Sequence, residues 1–153
     1  MTFMIAKSKH FDDVKRIVQR TISETFHEYY SDSAVDFFQH QHDDDAIRAA
    51  ISNGQVYLIR ENGQFVATAS VRGNEIYRLF VLPEHQHKGY CSKILDFLEK
   101  TLLREFDTVH LDSCAPALKI ALYESRGYQP IEHHRILTAD GEMIQNEVME
   151  LQK

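Results

Sequence analysis

The spacing of apolar residues follows a helical period in the first third of the chain. After a short apolar run at residues 3–6, which predicts a first strand, apolar side chains recur three and four positions apart, as on one face of an α-helix. Ser8 is a predicted N-cap for this helix. Further helices are predicted from Ser33 or Ala34 and over residues 44–51. The apolar face of the first helix consists of Phe11, Val14, Ile17, Val18, Thr21, Ile22 and Phe26.

The pattern then changes to that of three short strands joined by tight turns. Asn62-Gly63 is a strong signal for a two-residue hairpin, and Gly73-Asn74 predicts a second turn. The segment therefore predicts an antiparallel meander with strands at 55–60, 65–72 and 75–81.

The second half of the chain alternates between helices and strands. A helix is predicted after Gly89, a fifth strand in "TVHLDSC", a helix over 117–126 that ends at Gly127, and two strands at about 128–137 and 143–150. The helix between strands 4 and 5 permits them to pair in parallel. We therefore expect an α/β (α+β) fold, with a mixed, mostly antiparallel seven-stranded sheet and helices on both faces.

Composition narrows the class of protein. A length of 153 residues predicts a single domain over residues 1–153. No apolar run is long enough to span a membrane, and the N-terminus lacks a secretory signal, so we expect a cytoplasmic protein that binds no membrane. A net charge of −6 argues against nucleic acid as a partner. Cys91 and Cys114 are too few for a disulfide framework and lack the spacing of a zinc site.

The junction between strand 4 and the next helix is a candidate anion site. Strand 4 ends near Val81, Pro83 prevents its continuation, and the helix begins around Gly89. The first amides of a helix lack internal partners, and glycine lets the backbone approach a ligand. Lys88 adds a cation. Many such turns bind nothing, however, and neither a Walker loop nor a dinucleotide fingerprint is present.

The stretch "LFVLPEHQHKGYCSKIL" resembles motif A of the GNAT superfamily of acetyl-CoA-dependent N-acetyltransferases. Cys91 departs from the motif, which has a glycine or alanine there. The matching positions are Val81, Pro83, Gln86, Gly89, Ser92 and Leu95.

A second stretch, "ALYESRGY", resembles another landmark of this superfamily through Tyr123, Gly127 and Tyr128. The order of the predicted elements is similar as well, so the resemblance covers essentially the whole chain. It implies the GNAT fold, in which a bulge splays strand 4 from strand 5 and opens a cofactor slot.

The resemblance also implies how acetyl-CoA would bind. The end of strand 4, at Phe80, Val81 and Leu82, would hydrogen-bond the pantetheine. The chemistry implied needs no metal. The pyrophosphate would be held by the backbone amides of Gln86, His87, Lys88, Gly89, Tyr90, Cys91 and Ser92.

Two residues are candidates for catalysis. Tyr123 matches the family tyrosine near the thioester sulfur and would act as the acid; the alternative is an aromatic side chain that only packs on the sheet. Glu75, eleven residues before Gln86, resembles the glutamate base of some lysine acetyltransferases; the alternative is a solvated charge. His110 and Asp112 share a face of strand 5, and either could relay a proton if that face looks into the slot. The favoured alternative for His110 is a hydrogen-bonded core histidine, and ordered water could take over the proton relay.

The connection between the first two helices is where this superfamily usually builds its acceptor wall, and Tyr29 and Tyr30 are candidate substrate contacts there. The implied activity is transfer of acetyl to a primary amine, expected on a small molecule, by direct attack in a ternary complex. The alternatives are a protein N-terminal or lysine acetyltransferase and a non-catalytic acyl-CoA-binding sensor. Both a monomer and a homodimer fit the sequence.

Overall fold

A computed structural model describes residues 1–113 and 117–153, and Cys114 of the predicted fifth strand lies outside them. Within these ranges, helices α1 to α5 comprise Phe11–Thr25, Asp32–Gln41, Asp44–Ser52, Tyr90–Leu102 and Ala117–Ser125. Strands β1 to β7 comprise Thr2–Ile5, Val56–Glu61, Gln64–Arg72, Glu75–Val81, Thr108–Ser113, Gln129–Leu137 and Met143–Gln152.

The strands of the described ranges form one seven-stranded sheet in the order β1-β2-β3-β4-β5-β7-β6. Neighbouring strands are antiparallel except β4 and β5, which run parallel because α4 connects them. The predicted fold class is therefore confirmed. In the β2–β3 turn, Asn62 and Gly63 have φ angles of 51° and 77°, as a tight hairpin turn requires.

Helices cover the two faces of the sheet with separate apolar cores. On one face α1, α2 and α3 bury residues that include Ile17, Phe38 and Ile47 against β2 and the end of β4. On the other face α4 packs Ile94, Leu95 and Leu98 against β4 and β5. Helices α1 and α4 bury the apolar stripes seen in the sequence.

Two predicted helix starts differ from the observed ones by one or two residues. Ser8 does not cap α1, because Ser8–His10 form a short 3₁₀ turn in which the His10 Nδ1 accepts the Lys7 amide at 2.9 Å. Helix α2 begins at Asp32 rather than near Ser33, because the Ser31 hydroxyl accepts the Ala34 amide at 3.3 Å.

Candidate active site

A β-bulge in β4 opens a slot between β4 and β5. Tyr77 pairs with Ser70 and Phe80 pairs with Thr68, so two residues of β4 stand opposite the single Ala69 of β3. Arg78 lies in this bulge with a φ of 49°. The parallel pairing with β5 consists of two pairs, which join Glu75 to His110 and Ile76 to Leu111. Beyond Ile76 the paired register ends, and the edge of β4 is left for a ligand.

The main chain at the end of β4 offers Val81 rather than Leu82 to the slot. The Leu82 amide donates to the Val66 carbonyl at 2.9 Å, and its carbonyl accepts the His85 amide at 2.9 Å. Both groups already make hydrogen bonds inside the protein, which argues against the predicted main-chain contact of Leu82 with pantetheine. Backbone groups alternate along a strand, so the Val81 amide points to the β5 side. Phe80 packs its ring 6.1 Å from Phe26.

The start of α4 forms an open main-chain cradle. Gly89 is the N-cap at φ 85°, no side chain caps the helix, and His87 also has a positive φ of 61°. The Lys93 amide donates to the Gly89 carbonyl at 3.2 Å, so the amides just before it have no acceptor within the helix. A Cβ added at Gly89 would meet no atom within 4 Å. Amides of this kind, at the start of a helix, are favourable partners for an anion such as phosphate.

Gln86 supports the cradle without belonging to it. Its amide donates to the Pro83 carbonyl at 3.2 Å, and its side-chain Nε2 donates to the Val81 carbonyl at 2.9 Å. These internal hydrogen bonds argue against the predicted contact of the Gln86 amide with phosphate, and the amides of residues 87–92 remain the candidates for that contact. The side chain instead ties the loop to the end of β4.

The side chains around the cradle differ in exposure. His87 and Lys88 are exposed and point away from the core, whereas Tyr90, Cys91 and Ser92 are half-buried in the first turn of α4. An exposed lysine beside the amides adds a mobile positive charge at the helix end that already favours an anion.

Tyr123 belongs to α5, and its side chain is buried in the apolar core on the side of α4. It is 9% exposed, and its ring lies edge-on to Tyr128 at a centroid distance of 5.9 Å. Burial raises the pKa of Tyr123 well above its ordinary value, and the charge of the Cys91 thiolate acts in the same direction. The phenol therefore stays protonated and can serve as a hydrogen-bond donor.

An ionic cluster holds the end of α5 against α4. Arg126 reaches Glu99 at 2.7 Å and Asp96 at 2.5 Å, and the Tyr128 hydroxyl donates to Glu99 at 3.0 Å. Burial, followed by the neighbouring Glu99 carboxylate, raises the pKa of Tyr128. This cluster fixes the helix that carries Tyr123.

Glu75 and His110 stand side by side at the closed end of the slot. The Arg72 Nη2 donates to Glu75 Oε1 at 3.0 Å. His110, which pairs with Glu75 in the sheet, also pairs with Glu150 on β7, and its Nε2 lies 2.8 Å from Glu150 Oε2. This contact holds the pKa of Glu150 below its usual range. Sequence reasoning missed Glu150, because only the β5–β7 register brings it to His110.

The predicted acceptor residues Tyr29 and Tyr30 lie in different environments. Tyr29 is 51% exposed, whereas Tyr30 packs against Phe26 at 5.8 Å and Phe38 at 5.1 Å. Asp112 shares the sheet face of His110, as the alternation along β5 predicts, and its side chain is exposed.

The turn between β6 and β7 contacts the beginning of α2. The Ser31 hydroxyl donates to the Glu142 carboxylate. The Thr138 hydroxyl holds the pKa of Asp140 below its ordinary value, and the Ser33 hydroxyl adds to this effect. Ile136 and Ile144 of the two strands join the core of α1 and α2. The segment after α1 and the β6–β7 hairpin therefore meet beside the slot.

Sequence reasoning also missed a pair formed by Arg78 and His42. The Arg78 Nε donates to His42 Nδ1 at 3.0 Å. Burial, with a further contribution from the Arg78 charge, lowers the pKa of His42 to about 4. The sequence does carry a signal for the bulge. Side chains on one face of a regular strand are two residues apart, but Ile76 and Leu79, which share a sheet face with Val81, are three apart.

Membrane and metal sites were sought across the same described ranges. No helix of residues 1–113 and 117–153 is both long and apolar enough to cross a bilayer. In those residues, no three side chains of His, Cys, Asp or Glu are grouped to hold a metal ion.

Comparison with known sequences gives one family. The profile of the Acetyltransferase (GNAT) domain matches residues 26–141. A search of curated protein sequences gave no significant match.

Solved structures share the fold at low identity. The GCN5-related N-acetyltransferase from Rhodopseudomonas palustris has a TM-score of 0.84 and 20% identity, with 99% of this chain and 95% of that one covered. PaiA N-acetyltransferase from Thermoplasma acidophilum, in complex with coenzyme A, has a TM-score of 0.75, 14% identity, and coverage of 99% and 98%. The ribosomal-protein-S18-alanine N-acetyltransferase from Escherichia coli has a TM-score of 0.68, 22% identity, and coverage of 99% and 92%.

Proposed function

Because the chain belongs to the GNAT acetyltransferase family and is an acyltransferase, we propose that it moves the acetyl group of acetyl-CoA to a primary amine of a small molecule. The amine attacks the thioester directly in a ternary complex. The observation that carries this proposal is the parting of β4 from β5 after Ile76, directly beside the uncapped start of α4 at Gly89. The two features together give a slot for an acyl arm and an anchor for its charged end.

The chain's main-chain groups would hold the cofactor. Residues 87–92 lie at the start of α4, where the helix dipole is positive, and Lys88 adds a positive charge among them. The amide of Val81 would bind the pantetheine as a neighbouring strand does. The coenzyme A complex of the similar Thermoplasma protein supports this assignment. Bound in this way, acetyl-CoA supplies the activated acyl group.

Tyr123 would stabilise the departing sulfur. Its raised pKa keeps the phenol protonated at neutral pH, so it can donate a hydrogen bond as negative charge develops. The usual pKa of a thiol is about 8.5, below that of the buried phenol, so we expect a hydrogen bond more than a complete proton transfer.

Glu75 is the proposed base, directly or through water. It lies one residue before the last β4–β5 pair, where the slot begins. His110 and Glu150 continue the row of polar side chains across β5 and β7 toward the protein surface. A proton taken from the ammonium group therefore has polar groups to follow away from the slot.

The contact between the β6–β7 turn and α2 favours a small acceptor. Ser31 and Glu142 meet there, and a chain-like acceptor would have to pass this contact. The fold shared with the Escherichia coli ribosomal-protein-alanine enzyme makes a protein N-terminus the second candidate. The apolar packing of Ile144 with the α1–α2 core supports the small-molecule proposal over this one.

Thiol release from acetyl-CoA, followed across a panel of small amines and of N-terminal and lysine peptides, tests the proposal. We expect release with at least one small primary amine, and intersecting lines in initial-rate plots because both substrates bind before reaction. Reactions without amine are the control. Release with peptides alone, or parallel lines, would contradict it.

A further inference from the structure

Arg78 is a partly buried cation without a counter-ion. Its Nε donates to His42, but the Nη1 is fully buried and makes no hydrogen bond. In the described part of the chain, no carboxylate oxygen lies within 4.0 Å of this guanidinium. Burying a charge without a partner is costly, and buried charges are normally paired. The protein alone therefore leaves the charge of Arg78 without a partner among the described residues.

The neighbours of Arg78 do not neutralise it. The ring of Tyr77 lies 5.2 Å from its Cζ, and His42 is kept neutral by the low pKa described above. Tyr77 does most to raise the pKa of Arg78, through its charge and a side-chain hydrogen bond, Asp43 raises it through space, and the Arg72 charge lowers it. Burial is the dominant effect, and it lowers the pKa of Arg78.

The position of Arg78 connects this charge to the slot. It occupies the β4 bulge with a φ of 49°, two residues after the last paired residue, Ile76. A side chain other than glycine rarely adopts such a backbone conformation, and strain of this kind is concentrated at functional sites. The bulge places Tyr77 and Arg78 on the sheet face of α1–α3, together with Phe80.

We propose that Arg78 binds a carboxylate of the acceptor, so that the substrate is an amine that also carries an acidic group, as an amino acid does. This inference rests on the proposed function and names the substrate class of the same site. A guanidinium presents paired N–H donors that match a carboxylate, and a charge-assisted pair of this kind is the missing counter-ion.

Calorimetry of product analogues tests this without turnover. N-acetyl amino acids and the corresponding N-acetyl carboxamides are titrated into the protein saturated with CoA. We expect the carboxylate of each pair to bind about tenfold to a hundredfold more tightly, as for a hydrogen-bonded charge pair. Equal binding of the two members in the wild type overturns the inference.

Variants locate the preference at Arg78. Arg78→Asn removes the charge and uses a residue that tolerates positive φ, and it should abolish the difference. Arg78→Lys should retain part of it. Arg60→Asn is the matched control, because Arg60 carries the same charge but stacks on Phe65 at 4.6 Å, and it should keep the wild-type preference. An unchanged preference in Arg78→Asn, with a melting curve that shows the variant folded, would overturn the assignment.

The two proposals fail separately. A carboxylate preference in binding, with no thiol release from any amine, would leave the inference standing and contradict the proposed function. Thiol release from amines with no preference for the carboxylate partner would do the reverse.

Discussion

The two sides of the slot are built in different ways. On the proposed cofactor side, Val81 and residues 87–92 lie close together in sequence, and the groups assigned to the ligand are main-chain amides at Gly89 and the start of α4. On the proposed acceptor side, His42, Arg78, His110 and Glu150 come from distant segments and meet through sheet register and helix packing. A site made from consecutive backbone leaves a motif in the sequence, whereas a site made from side chains of separate elements does not.

Loss of the Tyr123 hydroxyl should have the largest effect, and it separates chemistry from both binding surfaces. We expect Tyr123→Phe to lower kcat about a hundredfold, because the sulfur loses its hydrogen-bond donor. The affinity for acetyl-CoA should stay at the wild-type value, since the cradle is untouched. Steady-state rates and calorimetry measure the two quantities.

The matched control for Tyr123→Phe is Tyr128→Phe. Tyr128 is the neighbouring buried phenol, and its hydroxyl donates to Glu99 at 3.0 Å. This variant should lose stability and keep kcat, because the Arg126 ion pairs with Glu99 and Asp96 still hold the end of α5. If both variants lowered kcat equally, the assignment of Tyr123 as the donor would be wrong.

The acceptor side should respond to pH through His42. The pKa of His42 is about 4 in the folded protein, against an ordinary 6.5. Between pH 4 and pH 6.5, His42 is therefore protonated in the unfolded chain and neutral in the folded one. The contribution of His42 to the free energy of unfolding therefore has its full value above pH 6.5 and decreases as the pH falls toward 4. From about pH 7.5 to about pH 5, the free energy of unfolding should fall by about 2 kcal/mol more in the wild type than in His42→Gln.

Urea unfolding at the two pH values gives this difference directly. His42→Gln suits the comparison because a glutamine oxygen can still accept the Arg78 Nε–H. Parallel pH dependence in the two proteins would show that His42 is not held neutral by its site.

The cofactor side should depend on the conformation of Gly89 more than on side chains. Gly89→Ala places a Cβ at φ 85°, which costs about 1–2 kcal/mol or shifts the main chain, and CoA affinity should fall about tenfold. Gly63→Ala is the control, because Gly63 has φ 77° and equally open surroundings but lies in the β2–β3 hairpin. It should lose similar stability and bind CoA normally. Equal affinities in the two variants would argue against the cradle.

The fold was largely predictable because its pattern is local. The apolar stripes of α1 and α4, and the turn at Asn62-Gly63, each specify an element within a few residues. The helix starts at Ser8 and Ser33 were predicted less well, because several nearby polar residues can cap a helix and packing selects among them.

The candidate site was predictable only in part. A glycine at position 89 permits the positive φ found there, but the internal hydrogen bonds that occupy Gln86 and Leu82 depend on how the loop folds back on β4. Glu150 reaches His110 through strand order, which the sequence does not encode locally. Arg78 reaches His42 because of a bulge, whose one-residue change in register turns a side chain to the other face.

The most direct test of the central claim compares coenzyme A, dephospho-coenzyme A and pantetheine in calorimetric titrations. If the amides at the start of α4 bind the diphosphate, the two ligands that carry it should bind at least about a hundredfold more tightly than pantetheine, which lacks it. Pantetheine binding as tightly as coenzyme A, or no heat with coenzyme A at all, would contradict the account.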